Sequence, residues 1–425
     1  MHTTITPARA IRGTLTVPGD KSISHRALML AAIAQGESRI SGLATGADVQ
    51  STKACLQQLG VEMESSRNTL LVKGRGIAAL RAPAQPLDAG NSGTTMRLLS
   101  GILATRPFAS TLVGDASLAR RPMRRIIAPL ELMGAKIFAS AQGTAPLTIH
   151  GGALHGITYA MPVASAQVKS CVLFAGLDAE GETIVIEPAP TRDHSERTLT
   201  AMGAKLRSEG NRIVMQRSTL HGMNLSIPGD FSSAAFLIAA TLLLSNSETL
   251  LCNVNVNPTR IALLEVLQQM GATIARENLR GKDFEPVADL RVQAQRLQGV
   301  RVSENLIPRL IDEIPILAVL ATQAEGETII TGAQELRVKE SDRLTALATN
   351  LRALGAQCEE LPDGLIIRGP TRLRGAELDS FHDHRIALAF AIAGLCADAP
   401  STIHHAECAD ISFPGFFELL RSSCS

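Results

Sequence analysis

The sequence predicts a protein of mixed α/β (α+β) class, built from two similar lobes, and three observations support this prediction. An apolar helical run that ends in Leu/Met-Gly-Ala/Val and leads into a polar hairpin recurs along the chain. Between these copies lie helices that are apolar on nearly every side, which is typical of buried helices. The tripeptide Pro-Gly-Asp occurs at residues 18–20 and again at 228–230, which indicates two lobes with equivalent starts.

The recurring glycine marks the end of a helix, because the C′ position is left-handed and favours glycine. The copies place it at Gly60, Gly134, Gly203, Gly271 and Gly355. Hairpin strands are predicted just after, at residues 69–72, 147–149, 212–215 and 364–367. The glycines recur roughly every 70 to 85 residues, beyond the period of about 20–50 residues of a solenoid repeat. This spacing suits a compact unit of several strands and two helices, repeated about six times.

Each predicted buried helix is preceded by a polar loop. The apolar runs cover residues 96–103, 168–177, 234–244, 314–322 and 386–395. All of them are well short of the roughly 20 residues of a membrane span. We therefore expect helices inside and sheets outside, which inverts the usual layering. The polar loops would gather where the helices point together, and this predicts one anion site shared by several units.

Composition excludes several classes of partner. The 425 residues carry a net charge of +1, with no Trp and a single Tyr, so neither a nucleic acid nor a membrane surface is expected as partner. The seven Cys residues are scattered and show no CxxC spacing, which argues against a disulfide framework or a zinc site and predicts a cytoplasmic protein. Residue 1 leads into no apolar signal-like run.

The stretch at residues 18–26 carries the clearest chemical signal. A Pro-Gly turn runs into a helix whose start carries Lys21, Arg26 and two hydroxyl groups. Backbone N–H groups at a helix N-terminus are unpaired and partly positive, so this stretch can form a pocket for phosphate or carboxylate. The alternative is an ordinary capped helix, with Ser22 or Ser24 as N-cap.

Two further stretches of the N-terminal half have a functional and a structural interpretation. Residues 88–97 form a Gly-rich loop that opens a helix, without a Walker or GxGxxG pattern, so a plain helix start is an equal alternative. Residues 115–125 contain four arginines, and arginine suits a bidentate grip on carboxylate or phosphate. A solvated basic loop is the alternative there. Residues 190–198 read as a helix start with local ion pairs.

The C-terminal half places charged residues among apolar ones. Asp312 and Glu313 interrupt apolar residues on both sides, so each carboxylate needs a partner or a function. If residues 338–340 form a strand-to-helix turn, Lys339, Glu340 and Arg343 could share one surface. His382 and His384 form a His-x-His pair with no evident third ligand, so no metal site is predicted.

Together these stretches give at least five cationic positions at loop-to-helix junctions, with two or three carboxylates beside them. Such a site suits two anionic small molecules, between which lysine and carboxylate groups can move protons. The residues alone therefore predict a transferase that acts on phosphorylated, carboxylated metabolites.

The chain resembles the enolpyruvyl transferase family from Gly13 to Phe417. The motifs that carry the resemblance are GDKSISHR at 19–26, GNSGTTMR at 90–97, RDHSER at 192–197, RVKESDR at 337–343 and DHR at 383–385. The resemblance implies an inverted, barrel-like fold of two lobes, each of three βαβαββ units with buried helices and outer sheets. Lobe I would comprise residues 1–20 plus 229–425 and lobe II residues 21–228, with the active site in a cleft that closes on substrate.

The resemblance is to the branch of the family that transfers the enolpyruvyl group of phosphoenolpyruvate to the 5-hydroxyl of shikimate 3-phosphate. Phosphate is released, on the route to chorismate and the aromatic amino acids. No metal or organic cofactor is implied. The family likeness also implies a monomer and competition by glyphosate in the phosphoenolpyruvate pocket beside Gly93.

Site residues follow from the resemblance, motif by motif. Glu340 would protonate the methylene carbon, Asp312 would accept or orient the hydroxyl proton, and Lys21 would touch both substrates. The division of acid and base roles among the implied catalytic residues stays open; these residues are Lys21, Asp312, Glu340 and His384. The residues implied for shikimate 3-phosphate are Lys21, Ser22, Arg26, Ser165, Gln167, Arg192, Asp312 and Lys339. Those implied for phosphoenolpyruvate are Lys21, Gly93, Arg121, Gln167, Arg343 and Arg385.

The sequence departs from the family pattern at two positions, and two alternatives stay open. Ala166 stands where many members have a second Ser, and Ile411 stands where one branch has a Lys, so no C-terminal contact is assigned. The sister branch that acts on UDP-N-acetylglucosamine typically carries a Cys in its arginine loop, and residues 114–125 contain none. The other alternative is a non-catalytic protein that binds anionic metabolites.

Overall fold

The computed structural model describes residues 1–281 and 284–425. The chain divides into two compact units. Unit 1 comprises Met1–Pro18, Pro228–Lys282 and Pro286–Ser425, and unit 2 comprises Gly19–Ile227 and Asp283–Glu285. Each unit has its own apolar core, and the two units are described separately below.

The strands of the described residues are short and are numbered here in chain order. They are β1 His2–Ile5, β2 Arg12–Thr16, β3 Gln35–Ser41, β4 Glu62–Ser66, β5 Thr69–Arg75, β6 Leu87–Asp88, β7 Ala109–Val113, β8 Lys136–Phe138, β9 Leu147–His150, β10 Thr158–Ala160, β11 Glu182–Ile186, β12 Leu206–Glu209, β13 Arg212–Gln216, β14 Asn224–Ser226, β15 Glu248–Asn255, β16 Ala275–Arg280, β17 Val287–Gln293, β18 Gly326–Ile330, β19 Gln357–Leu361, β20 Gly364–Gly369, β21 Glu377–Asp379 and β22 Ser401–His404.

The α-helices of the same residues are numbered in the same way. They are α1 Lys21–Ile33, α2 Ala47–Gln58, α3 Gly93–Ala104, α4 Arg124–Leu132, α5 Ala166–Gly176, α6 His194–Ala201, α7 Phe231–Leu243, α8 Ala262–Gln269, α9 Ile307–Leu310, α10 Ile314–Gln323, α11 Arg343–Ala353, α12 His384–Leu395 and α13 Phe416–Ser423. Short 3₁₀ helices cover Ile77–Ala79, Leu118–Arg120, Glu304–Leu306, Gln334–Val338 and Ala406–Ile411.

The same sheet pattern recurs three times in unit 2. Its sheets have the strand orders β14-β3-β5-β4, β6-β7-β9-β8 and β10-β11-β13-β12. In each sheet the first pair is parallel and the next two pairs are antiparallel, the last being a hairpin. Unit 1 contains the sheets β16-β17-β15-β2, β18-β20-β19 and β1-β22-β21, of which the first repeats that pattern in full.

Each unit buries helices and exposes one face of its sheets. Helices α3 and α5 in unit 2, and α7, α10 and α12 in unit 1, are buried along almost their whole length. Strands such as β4 present mostly exposed side chains. A helix that is apolar all round has no side suited to water, so it packs inside and the sheets cover it. The predicted fold class, mixed α/β with buried helices and outer sheets, is confirmed.

The predicted helix ends and Pro-Gly-Asp starts have a clear structural basis. The five predicted C′ glycines, Gly60, Gly134, Gly203, Gly271 and Gly355, all have φ between +85° and +110°. In both Pro-Gly-Asp copies the aspartate is the N-cap: Asp20 accepts from the N–H of Ile23, and Asp230 from that of Ser232. A Cβ on Gly19 would lie 1.8 Å from the carbonyl oxygen of Gly42, so only glycine fits there.

Two local structures that were considered only as an alternative or as a condition are not found. Asp20, and neither Ser22 nor Ser24, caps α1, because the carboxylate stands one residue before the helix and accepts the N–H of Ile23 at 2.9 Å. The segment before Lys339 is a 3₁₀ helix, Gln334–Val338, and not a strand.

No helix within residues 1–281 and 284–425 is both long and apolar enough to cross a membrane.

The close approach of α3 to α5 predicts a strict requirement for glycine at position 101. A Cβ on Gly101 would lie 2.2 Å from the carbonyl oxygen of Cys171, a backbone atom that cannot rotate away. We expect Gly101→Ala to lower the free energy of unfolding by about 1–3 kcal/mol in urea titrations. Gly152→Ala is the control, since its Cβ would meet nothing within 4 Å. Equal midpoints for the two variants would contradict this packing argument.

A buried histidine in α1 predicts a loss of stability in acid. His25 is fully buried and its Nδ1 lies 2.7 Å from the hydroxyl of Thr52, while burial, reinforced by Lys21 and Arg26, holds its pKa well below the ordinary 6.5. The unfolded chain therefore binds a proton below pH 6.5 that the folded chain does not. This difference destabilises the fold by up to about 1.4 kcal/mol for each pH unit below that value.

The measurement compares urea unfolding of the wild type and of His25→Asn between pH 7.5 and about 5. The variant is expected to be less stable at neutral pH, because the buried imidazole packing is lost. The difference should shrink as the pH falls, since only the wild type has this group to protonate on unfolding. A difference independent of pH would contradict a neutral His25.

Candidate active site

Lys21 opens helix α1 of unit 2 and is held by a carboxylate. Its Nζ donates to Oδ2 of Asp48 at 3.0 Å, and both side chains are mostly shielded from solvent. Asp48 lies in the first turn of α2, where a negative charge is favoured. Ser22 follows Lys21 and is half-buried. The ammonium group is thus oriented before any ligand arrives.

Arg26 lies one turn further along α1 and is only 2% exposed. Its Nε donates to Ser195 at 2.7 Å and its Nη2 to Ser170 at 2.8 Å, while Nη1 donates to the carbonyl of Ser22 at 2.9 Å. Burial lowers the pKa of Arg26 to about 10, partly opposed by the charge of Glu196. The guanidinium stays charged at neutral pH, and neither serine was predicted from the sequence.

A buried lysine forms ion pairs with two glutamates, one of which acts electrostatically on Arg26. Lys169 of α5 is 1% exposed and its Nζ lies 2.6 Å from Glu196 and 3.1 Å from Glu187. Burial raises the pKa of Glu196, and the charge of Lys169 opposes that rise. Glu187 in turn accepts a hydrogen bond from Thr191, next to the half-buried Arg192. The sequence predicted local ion pairs in this stretch without naming partners, and one such pair joins Arg197 to Asp193 at 2.9 Å.

A second group of cations in unit 2 surrounds the N-terminus of α3. Gly93 is the first residue of that helix, and a Cβ built on it would lie 3.3 Å from Nη1 of Arg97 and 3.4 Å from Nη1 of Arg121. Arg121 donates to the side-chain oxygen of Asn91 at 2.8 Å. Of the four arginines in its loop, Arg121 is the buried one, at 7% exposure.

Gln167 of α5 forms hydrogen bonds with the N-terminal part of α3. Its Oε1 accepts from Arg97 and its Nε2 donates to Thr94 at 2.9 Å. Ser165 is the N-cap of α5, and its hydroxyl accepts from the N–H of Val168. Arg97 was part of a motif that pointed to the family but had no assigned role. Its hydrogen bond to Gln167 places it in direct contact with a predicted site residue.

Unit 1 brings the C-terminal site residues together. The Oδ1 of Asp312 lies 3.5 Å from Nη1 of Arg343 and 3.6 Å from Nε of Arg385. Arg343 also pairs with Glu340 at 2.6 Å. Two arginines and two carboxylates therefore share one cluster, although the sequence separates Asp312 from Arg385 by 73 residues.

Arg343 is held by Asp383 more firmly than by any predicted partner. Its Nε and Nη2 donate to the two oxygens of Asp383 at 2.7 and 3.2 Å, and the side chain is 1% exposed. Burial opposes the charged form, but Asp383 and Glu340 outweigh it and raise the pKa of Arg343. Its Nη1 is buried without a hydrogen bond among the described residues, so it can serve an anionic oxygen.

Lys339 and His384 lie beside this cluster. Lys339 directly follows the 3₁₀ helix Gln334–Val338 and precedes Glu340, and burial lowers its pKa, partly opposed by Asp312. His384 is the first residue of α12 and is 2% exposed, directly before Arg385. His382, two residues earlier, is exposed and packs on the ring of His405.

A buried network lies behind Arg385. Its Nη1 donates to the hydroxyl of Ser232 and to the carbonyl of Asp312, both at 2.9 Å. Glu313, 1% exposed, binds Arg260 at 2.8 Å and lies 3.7 Å from Arg385. The need of Glu313 for a partner was predicted, but the identity of Arg260 was not.

No group of three or more His, Cys, Asp or Glu side chains in the described part of the chain could hold a metal ion. The arrangement can instead bind anions and move protons. Each unit presents buried or half-buried cations near helix starts, with carboxylates in direct contact with them. Such groups stabilise anionic substrates and act as general acids or bases.

Comparison with known proteins gives full-length matches. The family model described as EPSP synthase (3-phosphoshikimate 1-carboxyvinyltransferase) matches residues 5–420. The chain is 49% identical over 415 residues to the 3-phosphoshikimate 1-carboxyvinyltransferase of Brevibacillus brevis, covering 97% of both chains. It is 53% identical over 417 residues to that of Pelotomaculum thermopropionicum, covering 97% of this chain and 96% of that protein.

Solved structures agree with these matches. The EPSP synthase of Acinetobacter baumannii has a TM-score of 0.89 and 45% identity, covering 100% of this chain and 98% of that one. The enolpyruvyl transferase NikO of Streptomyces tendae shares the fold, with a TM-score of 0.78 at 16% identity over 99% of this chain and 96% of that one. The predicted resemblance is confirmed, and the chain belongs to the EPSP synthase family of enolpyruvyl transferases.

Proposed function

We propose that this chain transfers the enolpyruvyl group of phosphoenolpyruvate to the 5-hydroxyl of shikimate 3-phosphate and releases phosphate. The observation that carries the proposal is the cluster in unit 1, where Asp312 and Glu340 contact the guanidinium groups that would grip phosphoenolpyruvate. Family membership supports the same reaction. The reaction belongs to the route to chorismate and the aromatic amino acids.

The reaction needs an acid beside the methylene carbon of phosphoenolpyruvate and a base beside the 5-hydroxyl of shikimate 3-phosphate. Glu340 gives a proton to the methylene carbon of phosphoenolpyruvate, which leaves a cationic centre at the neighbouring carbon. Asp312 takes the proton of the 5-hydroxyl as its oxygen bonds to that centre. Phosphate then leaves with the proton held by Asp312, and return of one methyl proton to Glu340 restores the carbon–carbon double bond. Positioned acid–base groups of this kind contribute roughly 10²- to 10⁴-fold each.

The remaining site residues bind and orient the substrates in this proposal. For phosphoenolpyruvate they are Lys21, Gly93, Arg121, Gln167, Arg343 and Arg385. For shikimate 3-phosphate they are Lys21, Ser22, Arg26, Ser165, Gln167, Arg192, Asp312 and Lys339. Lys21 and His384 join Asp312 and Glu340 as the groups available for proton transfer. No metal or organic cofactor takes part in the proposed reaction, and we propose a cytoplasmic monomer.

The decisive assay measures phosphate release on mixing the protein with phosphoenolpyruvate and shikimate 3-phosphate. A parallel reaction contains UDP-N-acetylglucosamine in place of shikimate 3-phosphate. Release with shikimate 3-phosphate alone is expected. Release with the sugar nucleotide would move the protein to the sister branch, and no release from a folded sample would leave a non-catalytic binding protein. The lack of a Cys in residues 114–125 and the family match disfavour both alternatives.

Replacing the proposed acid should abolish turnover while leaving binding intact. We expect Glu340→Gln to lower kcat about 10²- to 10⁴-fold, because glutamine keeps the size of the side chain but has no proton to give to carbon. Binding of shikimate 3-phosphate, followed by calorimetry, should change little. Glu327→Gln is the control, since Glu327 pairs with Arg368 on the surface of the same unit. Full activity in Glu340→Gln would remove Glu340 from the mechanism.

A methyl group at position 93 should affect the binding of glyphosate and of phosphoenolpyruvate unequally, because the two anions differ in length. In Gly93→Ala the new Cβ would lie 3.3 and 3.4 Å from the guanidinium groups of Arg97 and Arg121 and would narrow the space in front of them. We propose that glyphosate competes with phosphoenolpyruvate here. Because glyphosate is the longer molecule, we expect its inhibition constant to rise about tenfold or more, and beyond any rise in KM for phosphoenolpyruvate.

Steady-state inhibition at several phosphoenolpyruvate concentrations measures both constants. Gly152→Ala is the matched control, because its Cβ would meet nothing within 4 Å. An unchanged inhibition constant in Gly93→Ala would place glyphosate elsewhere.

A further inference from the structure

The network behind Arg385 has no assigned function, yet it is built almost entirely from buried charge. Arg260 and Glu313 are 2% and 1% exposed, and Ser232 is 5% exposed. Burying two charges costs several kcal/mol of desolvation per ion, which only close pairing offsets. Apolar residues of similar volume could fill this space without a desolvation cost. The presence of charged residues here therefore indicates a function beyond packing.

The hydroxyl of Ser232 is the centre of the network and is fully used. It donates to Oε1 of Glu313 at 2.5 Å and accepts from Nη2 of Arg260 and from Nη1 of Arg385. One donated and two accepted hydrogen bonds are the whole capacity of a hydroxyl group. The position of Arg385 is thus tied directly to that of Arg260 through one oxygen atom.

Glu313 is shared unequally by the two arginines. Its Oε2 binds Nη1 of Arg260 at 2.8 Å, whereas its Oε1 lies 3.7 Å from Nη1 of Arg385. Arg260 is fixed in turn by the ring of Phe231, 5.9 Å from its guanidinium carbon, and by Asp230 at 3.6 Å. The shorter pair therefore satisfies the carboxylate and leaves Arg385 without a direct hydrogen bond to Glu313.

One N–H donor group of Arg385, Nη2, is available to a ligand. Its Nη1 is used by Ser232 and by the carbonyl of Asp312, and its Nε lies 3.6 Å from the Asp312 carboxylate. Its Nη2 makes no hydrogen bond to any residue in the described part of the chain. Rotation of the guanidinium toward Glu313 would use this donor and weaken the grip on an anion.

We infer that Arg260 is a positioning residue for phosphoenolpyruvate: by neutralising Glu313, it keeps that carboxylate from drawing Arg385 away from the substrate. This inference rests on the proposed function. It makes an asymmetric prediction, because removing Arg260 should weaken binding of phosphoenolpyruvate, whereas removing the charge of Glu313 should not. A network that only supports the fold would respond alike to both changes.

The test compares KM for each substrate in Arg260→Gln, Glu313→Gln and the double variant. Arg260→Gln should raise KM for phosphoenolpyruvate about tenfold, because the unpaired carboxylate of Glu313 would then draw Arg385 away from the substrate. KM for shikimate 3-phosphate should stay within about twofold, since most of the residues proposed for that substrate lie in unit 2, which the variant leaves unchanged. Glu313→Gln should leave KM for phosphoenolpyruvate unchanged or lower it.

The double variant Arg260→Gln/Glu313→Gln should return KM for phosphoenolpyruvate to within about threefold of wild type, because no unpaired carboxylate remains to draw Arg385 away. Arg309→Gln is the control: it removes a half-exposed pair with Glu265 from the same unit and should change neither constant. Equal rises in Arg260→Gln and in the double variant would overturn the inference.

Two further readouts keep the test decisive. If Arg260→Gln does not fold, judged by thermal unfolding, Ser232→Ala removes the shared hydroxyl without removing a charge. KM for phosphoenolpyruvate should then rise about threefold or more, and an unchanged value would overturn the inference. Phosphate release by the wild-type protein separates the two proposals. An inactive wild type contradicts the proposed function, whereas an active wild type with an unaltered Arg260→Gln contradicts the positioning role alone.

Discussion

Buried arginines at helix N-termini set the constraint on which the site of unit 1 depends. Arg343 and Arg385 lie in the first turns of α11 and α12, at 1% and 8% exposure. A helix N-terminus is already partly positive, and burial removes the water that would screen a further positive charge. Each guanidinium therefore needs carboxylates in direct contact. Their placement fixes the orientation of both arginines, and so the geometry that an anionic substrate meets.

Asp383 contributes to the placement of both arginines. One of its oxygens accepts the backbone N–H of Arg385 at 2.9 Å and caps α12, while the other accepts from Nε of Arg343 at 2.7 Å. A single carboxylate thus caps the N-terminus of α12 and orients an arginine of α11. It is completely buried, so its hydrogen bonds are made in a medium of low polarity, where they are strong. The two arginines proposed to bind phosphoenolpyruvate are consequently placed relative to each other by one side chain.

Local signals in the sequence were enough for the helix ends, the hairpins and the buried helices, because glycine at C′ and all-round apolarity act within a few residues. The N-cap of α1 could not be assigned from the sequence, since Asp20, Ser22 and Ser24 are all good caps and only the position of the helix start decides between them. Site partners escaped prediction where packing joins distant segments: Arg260 meets Glu313 53 residues away, and Arg343 meets Asp383 40 residues away. No spacing rule covers such distances.

The pairing of Glu340 with Arg343 links substrate binding to proton transfer under the proposed function. The Oε2 of Glu340 lies 2.6 Å from Nη2 of Arg343, so the proposed acid and a proposed phosphoenolpyruvate-binding arginine are in direct contact. An anionic substrate on the same guanidinium competes for its hydrogen bonds and places negative charge beside Glu340. Under the proposed function, phosphoenolpyruvate therefore binds to the same guanidinium group that contacts the acid of the reaction, and this shared group places the methylene carbon near Glu340.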